Sequence, residues 1–315
     1  MSMKIAIVGL GGVGGYYGGM LAKHYADNPD IEIYFIARGE HLQKVIQNGL
    51  KLITEDGTFQ VYPTLATNNV TEIGIVDYVI LATKSYDLEA TILQIKACVG
   101  INTVILPLLN GIDNSVRIRT LLPETEVWNG CVYIVARLRE PGIVESTSGV
   151  HRFNFGYEFK KTSDRLIAFE KIMKDAQIDA TFNENIMPII WNKFLFISTT
   201  ASLTSYFDVG FRDLLTLESR MQVLNVVLEE FIQIANAEGI EMNQNDKNRL
   251  IYQLEKLPPE STSSMHDDFR AGKNTELQTL TGIVIKLGKK HGIATPAYAK
   301  IYETLNKSNG NQMIL

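Results

Sequence analysis

Cysteine is scarce in this chain: Cys98 and Cys131 are the only two among 315 residues. Two thiols so far apart make neither a disulfide framework nor a metal site, and they read as small, buried, reduced side chains. Long apolar runs are missing as well. None approaches the roughly 20 residues a bilayer requires, so no membrane span is expected. The segment 1–10 is too short, and too closely bounded by glycine, for a secretory signal, which points to a cytoplasmic protein. Nor is there an excess of positive charge: 30 Lys and Arg stand against 35 Asp and Glu, with no basic block, so nucleic acid is a poor partner. With 45% hydrophobic and 21% charged residues, disordered and collagenous chains are excluded, and the length suggests two globular domains.

The two parts are patterned differently. Up to about residue 184, short β-branched runs at 4–8, 31–36, 76–82 and 103–109 alternate with helix-length segments. Runs apolar on both faces and spaced in this way read as strands of a parallel sheet. Runs 127–138 and 143–155 flank Glu140-Pro141-Gly142 and read as an antiparallel pair closing one edge. From 185 onward apolar residues recur at three and four. Leu214, Leu217, Met221, Leu224, Val227, Leu228, Phe231 and Ile234 trace one helical face that Gly239 ends. The last strong helix carries Leu277, Leu280, Val284 and Leu287 before Gly292. The expected architecture is an α/β domain over 1–184 and an all-α domain over 185–315.

The first strand runs directly into Gly9-Leu10-Gly11-Gly12-Val13-Gly14, a GxGxxG match that opens a helix. Glycines there permit the tight turn, let the backbone approach a pyrophosphate and pack the helix on the sheet. The ordinary structural reading is a glycine-rich turn with close helix packing. About 20 residues further on, where an acid would bond a ribose 2′-hydroxyl, the second strand leads into Arg38. A guanidinium matches a 2′-phosphate in fork geometry, which favours NADP over NAD, although Glu40 lies close by. Ligands of open α/β sheets collect beyond the carboxyl ends of strands, and there stand Thr83-Lys84-Ser85 and Asn110-Gly111. Ordinary loop chemistry would also account for both.

Between 185 and 207 the only charged residue is Lys193, within an apolar stretch that reads as a buried helix with Pro188 in its first turn. An ammonium there must be paired, snorkel out or lose its proton. Burial lowers a lysine pKa toward neutrality, which suits a proton donor; the plainer reading is a snorkelling lysine at a domain junction. Glu276 lies beside an apolar helical face. Pointed toward Lys193, it would form with it an acid and an orienting carboxylate; otherwise it is solvated.

Together, Gly9, Gly11, Gly14, Arg38, Lys84, Asn110-Gly111, Trp191-Asn192-Lys193 and Ser263-Ser264-Met265, with Glu276 twelve residues after Ser264, resemble the ketopantoate reductase (2-dehydropantoate 2-reductase) family along essentially the whole chain. The resemblance implies an N-terminal Rossmann domain, a C-terminal domain like that of 6-phosphogluconate dehydrogenase, and an active site in the cleft between them. It implies NADPH-dependent reduction of ketopantoate to pantoate, toward pantothenate and coenzyme A. By position, Gly9, Gly11, Gly12, Val13 and Gly14 would bind the cofactor and Arg38 its 2′-phosphate. Lys84 and Asn110 would contact cofactor and substrate, Lys193 would be the general acid, and Ser264 and Glu276 would bind substrate.

The chain departs from the family at three positions that usually hold asparagine, here Ile197, Ala201 and Ser261. Thr200 and Thr204 lie on the Lys193 face at helical spacing and are expected to supply replacement hydroxyls. These departures leave other readings open: a different 2-oxo acid, a 3-hydroxy acid or imine dehydrogenase, or a non-catalytic NADP-binding sensor. Helical C-terminal domains of this kind often pair, so a homodimer is also open.

Overall fold

The computed structural model describes residues 2–146 and 149–312. Two units emerge, one comprising Met1–Leu109 and Asp113–Ile186, the other Asn110–Ile112 and Met187–Leu315. In chain order the first unit contains β1 (Met3–Val8), α1 (Gly12–His24), β2 (Ile31–Ile36), α2 (Gly39–Asn48), β3 (Leu50–Thr54), β4 (Gly57–Val61) and β5 (Leu65–Thr67). It continues with β6 (Val76–Leu81), α3 (Leu88–Ile95), β7 (Val99–Pro107), α4 (Asn114–Leu121), β8 (Glu126–Val127) and β9 (Asn129–Tyr133). It ends with β10 (Arg137–Glu140), β11 (Ile143–Ser146), β12 (Arg152–Gly156), α5 (Asp164–Asp175) and β13 (Asp179–Asn183).

A six-stranded parallel sheet, ordered β5-β2-β1-β6-β7-β8, forms the frame. Its strands are buried on both faces because side chains alternate between two cores. Ile5, Ile7, Phe35 and Ile80 enter one; Ala6, Val8, Ile36 and Leu81 enter the other. Cys98 and Cys131 are both buried and share no disulfide, and burial pushes the Cys98 thiol up to about 11.

The region 127–155 pairs antiparallel as expected, β10 with β11 and β9 with β12, but neither pair closes an edge of the parallel sheet. Its residues divide among three sheets, because an unforeseen hairpin, β3–β4, supplies a second partner surface. β10 pairs antiparallel with β11 and β11 parallel with β3, giving the sheet β10-β11-β3-β4; β9, β12 and β13 form a third sheet. Thr147 and Ser148, inside the run expected as one strand, lie outside the described residues.

The second sheet lies against α1 and accounts for most of its glycines. A Cβ on Gly12 would stand 2.1 Å from the Ala136 carbonyl oxygen, one on Gly15 2.5 Å from Val144 Cγ2, and one on Gly19 3.1 Å from Leu52 Cδ2. Gly14 has the other constraint, since its Cβ would meet the Gly9 carbonyl oxygen at 1.9 Å, while Gly9 itself turns at φ +88°. A Cβ on Gly11, by contrast, would meet nothing within 4 Å.

The second unit is helical: α6 (Met187–Phe207), α7 (Glu218–Ala237), α8 (Gln244–Lys256), α9 (Ser264–Arg270), α10 (Ile283–His291) and α11 (Pro296–Gln312). The helix expected around 277–287 begins instead with a π-helical turn, Gln278–Gly282, that runs into α10. Pro296 starts a further helix, as its fixed φ permits. Buried Glu230 accepts from the Ala297 and Tyr298 amides at that start, at 2.8 and 3.1 Å. The core gathers Trp191, Phe194, Phe231, Leu224, Leu228 and Tyr298. No described helix is long and apolar enough to cross a membrane.

Gly12→Ala is expected to cost about 1–3 kcal/mol, because backbone atoms of the second sheet must yield. Gly11→Ala should cost less than about 1 kcal/mol. Urea unfolding followed by the fluorescence of buried Trp128 and Trp191 compares them. Equal midpoints for the two variants would refute this division of the glycines.

Candidate active site

In the first unit the chemistry gathers beyond the carboxyl ends of β1, β2 and β6. Gly11, the residue before α1, places no side-chain cap on the helix, so the first-turn amides keep their positive end for an anion. Space over Gly11 and crowding at Gly9, Gly12 and Gly14 match what a pyrophosphate-binding turn requires. Thr83 packs its methyl beside Gly9, and its Oγ1 is buried with no hydrogen-bond partner among the described residues. A buried hydroxyl without a partner costs on the order of 1–3 kcal/mol, so this atom suits a ligand polar group. The residues present therefore fit a dinucleotide. Thr83 was visible in the sequence only as part of Thr83-Lys84-Ser85, with no role attached. Lys84 is partly buried at the entry to the 3-10 turn Ser85–Asp87.

Arg38 leaves the end of β2 with 82% of its side chain exposed, and its Nη2 donates to Asp87 Oδ2 at 2.8 Å. His41, on α2, accepts the Gly142 N–H on Nδ1 at 2.8 Å, and its Nε2 is buried. Burial holds its pKa below the ordinary imidazole value, with the Leu10 backbone pulling the other way. The neutral ring thus ties the β10–β11 turn to the helix that follows Arg38.

In the helical unit, three of the residues singled out by sequence come together. Lys193, partly buried on α6, donates from Nζ to Asn110 Oδ1 at 3.1 Å, and Asn110 Nδ2 donates to Glu276 Oε2 at 3.3 Å. The ammonium on one side and the carboxylate on the other fix which way the amide faces. Glu276 is only 4% exposed and stands just before the π-helical turn, its carbonyl accepting from the Leu280 amide at 2.9 Å. That turn is laced to α6 by small hydroxyls. Ser198 donates to the Leu280 carbonyl at 2.6 Å and pairs with the Tyr298 hydroxyl at 3.0 Å, and Ser202 pairs with Thr281 at 2.8 Å. Asn192, next to Lys193, is committed to the Pro188 carbonyl and to Arg249.

Ser264 is exposed as the first residue of α9. Its neighbour Ser263 is the cap, accepting the His266 amide at 3.2 Å and pairing with Thr204 Oγ1 at 2.8 Å. The hydroxyls of Thr200 and Thr204, expected as replacements, are engaged along α6. Each hydroxyl donates one turn back along its own helix, to the Phe196 and Thr200 carbonyls, both at 2.7 Å. This is the usual outlet for a buried threonine on a helix. Nor does Ser261 offer its proton, which goes to the Pro258 carbonyl at 2.6 Å.

Residues 5–158 match the family model "Ketopantoate reductase PanE/ApbA", and residues 185–309 match its C-terminal counterpart. A crystal structure of 2-dehydropantoate 2-reductase from Porphyromonas gingivalis W83 is 35% identical, with a TM-score of 0.85 over 97% of this chain and 99% of that one. The chain belongs to the ketopantoate reductase family. It is an oxidoreductase of that family. D-mandelate dehydrogenase in complex with NADH is 25% identical, with a TM-score of 0.83 over 98% of this chain and 100% of that one. Among curated relatives, an uncharacterized oxidoreductase of Bacillus subtilis (strain 168) is 28% identical over 303 residues, 96% of this chain and 98% of its own length.

Because His41 prefers to be neutral in the fold, the unfolded chain binds more protons between its lowered folded pKa and the ordinary value of 6.5. The His41 contribution to stability should therefore rise with pH through that window and level off above and below it. His41→Gln should flatten this slope when urea midpoints are compared between pH 5 and 7; an unchanged slope would show that His41 does not carry it.

Proposed function

We propose that this protein catalyses the NADPH-dependent reduction of a 2-oxo acid, with 2-dehydropantoate as the substrate its relatives favour. The observation that carries the reading is the Lys193–Asn110–Glu276 chain. A bound reduced nicotinamide supplies a hydride to the substrate carbonyl carbon. Lys193 stabilises the negative charge that then grows on the oxygen and gives it a proton. Asn110 holds the ammonium through its carbonyl and passes orientation, not charge, from Glu276. The Glu276 carboxylate keeps the ammonium side of this chain favourable and accepts from a substrate hydroxyl. Gly9, Gly11 and Gly14, with the amides of the first turn of α1, hold the pyrophosphate, with Gly12 and Val13 shaping the same turn. Thr83 and Lys84 offer polar contacts to the cofactor, and Arg38 binds its 2′-phosphate. Ser264 is the further substrate contact.

A second substrate reading rests on Ile197 and Ala201, one and two turns beyond Lys193. Apolar side chains there favour a bulkier, more apolar 2-oxo acid than asparagines would. D-mandelate dehydrogenase, of similar fold, is named for mandelate, the 2-hydroxy acid that corresponds to an aromatic 2-oxo acid.

Lys193→Gln is expected to lower kcat by about 10²–10⁴ while the NADPH dissociation constant changes less than about twofold. NADPH oxidation followed optically, with 2-dehydropantoate set beside branched and aromatic 2-oxo acids, tests both role and substrate. Near-normal turnover by the variant would end the proton-donor reading, and failure of wild type on every 2-oxo acid would end the reductase reading.

A further inference from the structure

Nothing in the GxGxxG turn, Arg38 or the family match assigns a role to Asp87. Its place in the fold is specific. β2 and β6 flank β1 in the sheet, Arg38 follows β2, and Asp87 follows β6, so their ion pair spans the carboxyl end of β1 above the glycine-rich turn. Asp87 is also held from behind: its amide donates to the Lys84 carbonyl at 3.0 Å, and its carbonyl accepts from Thr91 Oγ1 at 2.8 Å. The side chain itself is about one-third exposed.

We propose that Asp87 sets the cofactor selectivity of this enzyme by competing with the 2′-phosphate for Arg38. The proposal rests on Arg38 being the contact to the cofactor's 2′ position. A 2′-phosphate that takes the guanidinium must do so beside a fixed carboxylate, and the two anions repel. A ribose 2′-hydroxyl has the opposite relation to the same group, since it can donate to the carboxylate. In the usual dinucleotide fold that acid comes from the end of the second strand. Here the second strand delivers a cation, and the acid arrives from the segment after β6. Arg38 alone would select NADPH; Arg38 with Asp87 narrows the choice, so that NADH and NADPH bind with comparable affinity.

The ion pair is exposed and therefore weak in itself. Repulsion between a carboxylate and a phosphate of up to two charges is larger, and it is screened by salt. Asp87→Asn keeps the size of the side chain and the backbone bonds while removing the charge. Asp87→Ser is a second variant suited to a helix start. Binding of NADPH and NADH in the absence of substrate, followed by the fluorescence of the bound cofactor, and of 2′,5′-ADP and 5′-AMP by calorimetry, gives the ratios directly. For both Asp87 variants NADPH and 2′,5′-ADP should bind about tenfold more tightly at low salt, with NADH and 5′-AMP unchanged or weaker, and the gain should shrink at 0.5 M salt. If Arg38→Gln weakens NADPH but neither Asp87 variant moves the NADPH-to-NADH ratio, the competition does not exist. If Arg38→Gln leaves NADPH binding intact, the reading of Arg38 itself fails, and this proposal with it.

Discussion

A carboxylate that is only 4% exposed must find donors, and in the helical unit that requirement falls on Glu276. Asn110 meets it with its amide N–H while its carbonyl receives Lys193, so one neutral side chain joins a cation to a buried anion. The rest of the unit is arranged to keep these groups in place. Ser198 and Ser202 give α6 short hydroxyls where larger side chains would hold the π-helical turn away. The carbonyl of Leu280, inside that turn, is taken up by Ser198. Glu276 thereby stands at a fixed distance from the helix that carries Lys193, and a π turn directly after it is the kind of local irregularity that often accompanies function.

The first unit obeys a different constraint. Its α1 is pressed between the parallel sheet and the smaller sheet β10-β11-β3-β4, and glycine is the residue that lets backbone approach backbone on both sides. A single glycine-rich run therefore answers two demands: Gly9 and Gly14 close the turn, Gly12, Gly15 and Gly19 admit the second sheet, and Gly11 keeps open the space over the helix start. Oxidoreductase chemistry needs only the first and third of these. The second explains why the run is longer than a nucleotide-binding turn alone would demand.

Much of this was legible in the sequence, and for identifiable reasons. The strands at 4–8, 31–36 and 76–82 are buried on both faces over their later residues, so beyond Lys4, Glu32 and Asp77 their runs are apolar. Lys193 stands out because nothing else between 185 and 207 is charged, and Glu276 sits at a fixed interval after Ser264. Other features left weaker marks. The β3–β4 hairpin turns at Asp56-Gly57, a favoured hairpin pair, but its strands are short, and Phe59 on β4 is only partly buried. Without that hairpin, the antiparallel segments 127–138 and 143–155 have no second sheet to join and read as closing an edge of the first. Thr200 and Thr204 occupy the right helical face, yet periodicity does not say that their protons go to carbonyls of the same helix. That Asn110–Ile112 count with the helical unit, between β7 and α4 of the other, has no signature in composition or period.

The central claim is that Lys193, Asn110 and Glu276 act as one hydrogen-bonded unit, and coupling between the last two tests it most directly. A double-mutant cycle with Asn110→Ala and Glu276→Gln, read in kcat/KM for 2-oxo acid reduction, isolates that coupling. If the chain operates as described, the double variant should be little worse than the poorer single one, with a coupling of at least about 1 kcal/mol. Losses that simply add would mean the two residues act independently, and would contradict the account.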